Sequence, residues 1–377
     1  MNNIFIVGDS TMRNKLYLTI TVLMALAILG AHALAGGGNR KGTSGADQLL
    51  IPSGARGFAL NGSYLSGISG VESIYWNPAG LAATNTSAEV MFSHANWIGD
   101  IGAEYVAIGT NFTGFGHLGL SIKSLSFGDI PLTTEKTPDG SGGVYSPTYV
   151  TLGLTYARAL TDRIRAGVTF NVVSERFSRS SASGLAFDVG LQYQGLGGMK
   201  GLSMGVAIRH FGPNMKYDGS DLYRDAQELN DKRDAQLLKI ETAGFQLPTT
   251  LELGMGYTAN VSELHSLTLM GTFQNNNFLD DQYKIGLEYS FRNIIYLRGA
   301  YNFAAEAATE DLMAANAAAG SGFTGDVASS QTSFLYGASF GIGVKYDVGD
   351  LKLAADYGYS ATKIYNGIHA FSLYVGF

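Results

Sequence analysis

LAFDVGLQYQ, residues 185–194, decides the fold. Leu185, Phe187, Val189, Leu191 and Tyr193 fall on odd positions, and Ala186, Asp188, Gly190, Gln192 and Gln194 on even ones. A β-strand turns successive side chains to opposite faces, so one face of this segment is apolar and the other small or polar. The split recurs in both directions. Val150, Leu152, Leu154 and Tyr156 oppose Thr151, Gly153, Thr155 and Ala157; Leu251, Leu253, Met255 and Tyr257 oppose Glu252, Gly254, Gly256 and Thr258. Tyr283, Ile285, Leu287, Tyr289 and Phe291 oppose Lys284, Gly286, Glu288 and Ser290, while Phe334, Tyr336, Phe340, Ile342 and Val344 share one face, as do Leu351, Leu353, Tyr357 and Tyr359. At ~10 residues per spanning strand, roughly fourteen such segments fit between Thr86 and Phe377.

A secreted β-sandwich also alternates, so loop lengths decide between it and a membrane barrel. Counting strands from the N-terminus, the long connections follow odd strands: Asp129 to Ser146, Pro213 to Phe245 and Ala304 to Ser330. Those after even strands are short, as at Thr161-Asp162, Gly195 to Gly198, Asn260 to Ser262, Arg292-Asn293 and Asp347 to Asp350. Tight turns on one side and long loops on the other mark an outer-membrane barrel, and an even strand count returns both ends of the ladder to the short-turn, periplasmic side. The chain closes on Phe371, Leu373, Val375 and Phe377 on one face, similar to the terminal signal of such barrels. Tyrosine and tryptophan near strand ends suit interfacial girdles, but aromatics also simply suit strands, and Trp97, near the outer end of the first strand, fits either reading. The expected fold is all-β: a transmembrane antiparallel barrel of about 14 strands with an N-terminal plug or hatch segment.

Composition agrees. Of 377 residues, 46% are hydrophobic and only 15% charged, with 50 Gly, 21 Tyr, no Cys and a net charge of −6. This departs from soluble averages, offers no thiolate for catalysis or metal, and carries no electrostatic footprint for nucleic acid. Arg13 and Lys15, then an apolar run from Leu16 to Leu29, then Ala33-Leu34-Ala35, have the order of a secretory signal peptide. Residues 1–35 are therefore expected to be removed on export to the bacterial outer membrane, with Met12 a candidate start, residues 36–85 the plug and 86–377 the barrel.

The segment from Ile51 to Ala83, IPSGARGFALNGSYLSGISGVESIYWNPAGLAA, follows neither the helical nor the strand period. Its glycines permit close-packed turns, and Pro78 pushes Asn77 toward an extended backbone. Arg56, Trp76, Asn77, Pro78 and Ala79 are its candidate gating or partner-contact residues. Inward charges of the wall are expected at Lys123, Arg158, Asp188, Arg209, Glu252, Lys284, Glu288, Arg298, Lys345, Lys352 and Asp356. Asp188, Glu252, Glu288 and Arg298 are candidates to pair with the plug, and Arg56 is its cation, facing Asp188 or Glu288. Charges of both signs also serve to fill a narrow lumen. The external stretch Ser220 to Glu241 spaces Leu222, Leu229, Leu237, Leu238 and Ile240 loosely as a helix face, either a partner surface or a solvated lid. A second lid candidate begins at Glu306. No Gly-x-Ser-x-Gly elbow, His-Glu-x-x-His or phosphate loop occurs. His94, His117, His210, His265 and His369 are scattered, with faces read as lipid-side or interfacial. No catalytic residue, cofactor, metal or nucleic-acid partner is expected.

The Ile-Pro-x-Gly-Ala-Arg block at Ile51 to Arg56 and the block Tyr75-Trp76-Asn77-Pro78-Ala79-Gly80-Leu81 resemble the PorV/PorQ family of outer-membrane proteins. The segment from Gly201 to Pro213 resembles the family's mid-chain strand, except that relatives carry Asn where His210 stands. Leu247 to Gly254, Gly286 to Tyr289 and Leu297 to Gly299 are similar to further family blocks. More distantly, Asn77-Pro78-Ala79 resembles the hatch motif of FadL-type transporters. The resemblance implies a FadL-like barrel of fourteen strands. For function it implies a non-enzymatic component or cargo-shuttle partner of type IX protein secretion, which binds a translocon barrel and cargo C-terminal domains. The alternative it implies is a FadL-like channel for uptake of hydrophobic compounds, with a small hydrophobic molecule as ligand and outer-membrane lipid as surroundings.

Overall fold

The computed structural model describes residues 42–84, 86–133, 135–226, 236–304, 336–362 and 366–377. The expected signal peptide lies outside the described residues, as does the candidate lid beginning at Glu306. Fifteen strands join the main sheet; one of them, Tyr217–Gly219, is a three-residue extension, which leaves fourteen in the wall. They are β1 (Ala88–Asn96), β2 (Gly102–Phe112), β3 (Gly116–Ser126), β4 (Thr148–Ala159), β5 (Ile164–Phe177), β6 (Ser180–Gln194) and β7 (Leu202–Phe211). The second half is β8 (Thr250–Asn260), β9 (His265–Asn276), β10 (Gln282–Phe291), β11 (Ile295–Ala304), β12 (Tyr336–Val348), β13 (Leu351–Thr362) and β14 (Ile368–Gly376). Every neighbour in sequence pairs antiparallel, and β1 pairs β14 from Glu89 opposite Gly376 to Asn96 opposite His369. The sheet is closed, and closure removes the edges that an open sheet would expose.

Alternation sets the two faces. Leu120, Ile122, Leu152, Leu154, Val168, Phe170, Val189 and Ile208 point outward and are exposed, while Ser121, Thr151, Thr155, Thr169, Gln192 and Ala207 between them are buried. An exposed belt of this apolarity around a closed polar-cored ring is the surface of a membrane-spanning barrel. No helix among the described residues is long and apolar enough to cross a membrane; the strands do so instead. Arg158 departs from the expected inward set. It continues the outward register of Leu152, Leu154 and Tyr156 and is exposed near the end of β4, where a cation reaches water.

Connections after even strands are the short ones, and β3–β4, β7–β8 and β11–β12 carry the long ones, so the loop parity holds through the ring. Among its described residues the β7–β8 connection has no α-helix, only the 3-10 turn Ser220–Leu222. Tyr223–Ala226 pairs Gln236–Lys239 as a small antiparallel hairpin with Leu237, Leu238 and Ile240 exposed. Leu237 and Leu238 are adjacent on one strand and both exposed, so the loose spacing marks neither a helix face nor a buried strand face; Leu229 lies outside the described residues.

The segment from Ala46 to Ala82 packs within the ring. Phe58, Leu60, Tyr64, Leu65, Ile68, Ile74 and Leu81 are among the largest fully buried side chains, and all belong to this segment. The wall receives it on inward glycines. Added Cβ atoms would meet Val71 and Leu81 at Gly109, Ile74 at Gly119, Leu65 backbone at Gly205, Ser63 at Gly286 and Ala59 at Gly341. These small residues on the polar face of β2, β3, β7, β10 and β12 leave the room the segment fills, which gives the inward Gly of the alternating pattern a packing reason.

Candidate functional site: the inner segment and the wall it meets

The inner segment is built around Trp76. Its ring covers Gly57 and Gly62, where a Cβ would lie 2.6 and 2.4 Å from ring carbons, and Gly62 has φ of 72°. Trp76 Nε1 donates to Ser53 O at 3.0 Å, and the ring packs edge-on against Tyr64 and Tyr75 at centroid separations of 5.8 and 4.9 Å. The glycines of the opening motif are thus the floor beneath a buried indole.

Asn77 turns the chain. Its backbone is extended (φ −153°, ψ 101°), as a residue before proline must be, and it caps the 3-10 helix Pro78–Ala83. The side chain uses both of its donors and its acceptor oxygen: Oδ1 accepts from Ala79 N at 3.2 Å, and Nδ2 donates to Leu65 O at 3.3 Å and Leu191 O at 3.1 Å. Pro78 and Ala79 sit directly on the wall. A Cβ at Gly167 would come within 2.4 Å of Pro78 C, and one at Gly190 within 2.0 Å of Asn77 Oδ1. Gly167 and Gly190 are register partners on β5 and β6. The turn therefore rests on a two-glycine seat.

Arg56 meets Glu288 and not Asp188. Its Nε and Nη2 donate to the two carboxylate oxygens at 3.0 and 2.9 Å, a bidentate pair, and Nη1 lies 3.8 Å from Glu72. Arg298 donates to Glu288 Oε2 at 2.6 Å and to Asp356, so Glu288 joins a cation of the segment to a cation of β11. Of the other two carboxylates expected to hold the segment, Glu252 pairs with Arg209 of its own wall, at 2.9 Å from Nε. Asp188 accepts from Asn171 Nδ2 and from His210 N, each at 2.7 Å. The link from this second cluster to the segment is Arg209 Nη1, which donates to Tyr75 O at 3.1 Å.

Sequence reading missed three groups. Glu89, inward on β1 by the same alternation, accepts from Val71 N at 2.8 Å and from the hydroxyls of Thr84 and Thr86. Trp97 packs against Phe58 at 6.2 Å, inside the ring and not in an outer girdle. His117 and His210 face inward and are buried, contrary to the lipid-side reading, while His94 and His369 keep to the outer register. For His210 the cause is a bulge: Phe187 pairs Phe211 and Val189 pairs Ile208, so Arg209 and His210 both point inward opposite Asp188. His210 adopts φ of 60° to do so.

A cavity of about 30 Å³ lies between Leu49, Ile74 and Tyr75 of the segment and a polar strip of wall that includes Lys123, Thr151, Asp188 and His210. Lys123 Nζ donates to Ile51 O and lies 4.5 Å from the Tyr75 ring centre. No group of His, Asp and Glu fit to hold a metal occurs among the described residues.

The geometry defines a transmembrane β-barrel whose lumen is occupied by its own N-terminal segment. No family model matches the chain, and no curated protein does. The resemblance to PorV/PorQ proteins thus rests on the quoted motifs alone. Among solved structures, similar ones include a deletion mutant of the TodX monoaromatic hydrocarbon channel, with 12% identity and a TM-score of 0.48 over 85% of this chain and 97% of that one. The toluene transporter TbuX of Ralstonia pickettii has 12% identity and a TM-score of 0.46 over 85% of this chain and 96% of its own. A FadL homologue of Pseudomonas aeruginosa has 11% identity and a TM-score of 0.46 over 86% and 98%.

Proposed function

We propose that this chain is a non-enzymatic outer-membrane barrel that passes small hydrophobic molecules, with the inner segment as its gate and the turn Asn77-Pro78-Ala79 as the part that moves. The observation that carries this reading is the uneven hold on the segment. Arg56 is fixed by the buried network Glu288, Arg298 and Asp356 on β10, β11 and β13. Breaking such a pair costs about 3–5 kcal/mol. The turn itself carries no charge and meets β5 and β6 through the glycine seat and the Asn77 bond to Leu191 O, its nearest charged anchor being Arg209 on Tyr75 O two residues before it. Lifting it uncovers Gly167, Gly190 and Ala157 beside Leu65, Ile74 and Leu81, a small-residue and apolar surface suited to an uncharged solute. The FadL-like alternative implied by Asn77-Pro78-Ala79 agrees with this reading.

The test is uptake of radiolabelled toluene by cells that carry the protein, against cells without it, with a sugar of similar size as control. Toluene entry should rise and sugar entry should not, and the double change Asn77→Ala with Pro78→Ala should alter the toluene rate. Equal toluene entry with and without the protein would overturn the proposal. A second reading, partnership in type IX protein secretion, is favoured by the exposed Tyr223, Leu237 and Leu238 of the hairpin Tyr223–Ala226 and Gln236–Lys239 on the external side. Affinity purification from the native outer membrane distinguishes it: recovery of a translocon barrel or exported cargo supports it, and recovery of the barrel alone counts against it.

A further inference from the structure

The two ends of the inner segment lie at opposite mouths of the ring. At the lower end, Ser87 N donates to Phe377 O at 2.7 Å and Asn111 N donates to Ser87 O at 2.9 Å, which places it beside the turn that follows β2, on the short-turn face. The upper end is held by the longest described connection of the opposite face. Ser44 bridges Gln246 in parallel, and Gly45 N donates to Gln246 O at 3.1 Å. Gly45 lies flat under Phe245, where a Cβ would be 2.2 Å from the ring. Phe245 in turn bridges Met215, with reciprocal bonds of 2.9 and 2.8 Å. Below them Ala46, Leu49, Met215 and Leu247 form one buried cluster with Val173 and Ala182 of β5 and β6. Gly42 and Thr43 are exposed above it.

We infer that the segment is threaded through the barrel from the external mouth to the periplasmic one, and that the β7–β8 connection is the latch that holds its upper end, with residues 42–43 presented at the cell surface. An even-stranded ladder returns both of its own ends to the periplasmic side. A segment that starts at the far mouth must therefore cross the lumen before β1 begins. It follows that the gate is reachable from outside without passage through the barrel: whatever displaces the paired residues Met215, Phe245 and Gln246 also releases Ser44 to Leu49. From there Leu49 O accepts from Tyr75 OH at 3.0 Å, next to the Asn77 turn.

The chain has no cysteine, so single thiols can be placed without background. In intact cells, Thr43→Cys should react with a membrane-impermeant maleimide to the extent seen in denatured protein. Ser87→Cys should react only after the outer membrane is permeabilised. Protection of Thr43→Cys in intact cells, or labelling of Ser87→Cys there, overturns the threading. For the latch, the pair Ser44→Cys and Gln246→Cys should form a disulfide on mild oxidation, while Ser44→Cys with Ser87→Cys should not. Failure of the first pair to close, in a barrel that still runs as the folded species on unheated gels, overturns the latch. These readouts report position alone, so they stand or fall independently of any transported solute.

Discussion

Gly167 and Gly190 illustrate how much of this molecule is decided by the absence of a side chain. Each faces the lumen where alternation requires an inward residue, and each is covered by the Asn77-Pro78 turn at less than van der Waals distance from a would-be Cβ. Gly167→Ala places a methyl group 2.4 Å from Pro78 C, which is backbone and does not swing aside. Overpacking of this kind costs about 1–3 kcal/mol. Gly67→Ala is the matched control, since nothing lies within 4 Å of its Cβ. The expected outcome is a lowered apparent melting temperature in detergent for Gly167→Ala and an unchanged one for Gly67→Ala. Equal behaviour of the two would mean that the turn is not seated on the wall. At the same scale, the identity of the Arg56 partner was open in the sequence because both Asp188 and Glu288 are inward carboxylates. What separates them is the company they keep. Glu288 stands beside Arg298 and can bridge two cations, whereas Asp188 is occupied by Asn171 and by the backbone of the bulge.

At the scale of elements, strand parity is the governing rule and its exceptions are local. In β4 the outward set is Leu152, Leu154, Tyr156 and Arg158, and the position along the strand determines what is tolerated. Arg158, near the end, reaches water; Leu154, at mid-strand, faces the hydrocarbon core. Leu154→Arg is expected to destabilise the barrel by about 2–4 kcal/mol, the cost of a lipid-facing cation near the midplane. Unfolding in urea from lipid vesicles measures it, and a change below the error of that measurement would show that this face of β4 does not meet lipid. The β7 bulge breaks parity for one residue and turns His210 inward. No pattern within residues 202–211 announces it, because a bulge is a property of the pair β6–β7 and not of either strand. The external hairpin in the β7–β8 connection has the same lesson: its two four-residue strands are too short for periodicity to separate them from helix.

For the whole molecule, the fourteen-stranded ring encloses more lumen than its own side chains fill, and the inner segment makes up the difference. Intact protein in a planar lipid bilayer should therefore pass little ionic current. A variant lacking residues 46–83 should show large, porin-like conductance steps, if the ring closes without its filling. High conductance of the intact protein would show that the segment does not obstruct the lumen in solution.

Most of the wall was legible in the sequence. Period-two alternation from Thr86 onward placed the strand count at about fourteen, and the parity of long and short connections with the terminal Phe377 pointed to an outer-membrane barrel. They did so because each of these signals is local: a strand's faces are fixed by its own residues. The motif from Ile51 to Ala83 also declared itself as a separate packing unit through its glycines and Asn77-Pro78. By contrast, the pairing of Arg56 with Glu288, 232 residues apart, the seat of Pro78 on Gly167 and the fastening of Ser44 to Gln246 depend on how far the ring curves and in which direction the segment crosses it. Neither quantity is encoded in any window of the chain. Sequence alone determined the two faces of the regular strands; the closed tertiary structure decided the exceptions, such as the bulge that turns His210 inward, and which of the inward side chains meet, since closure brings to one axis residues that no local period relates.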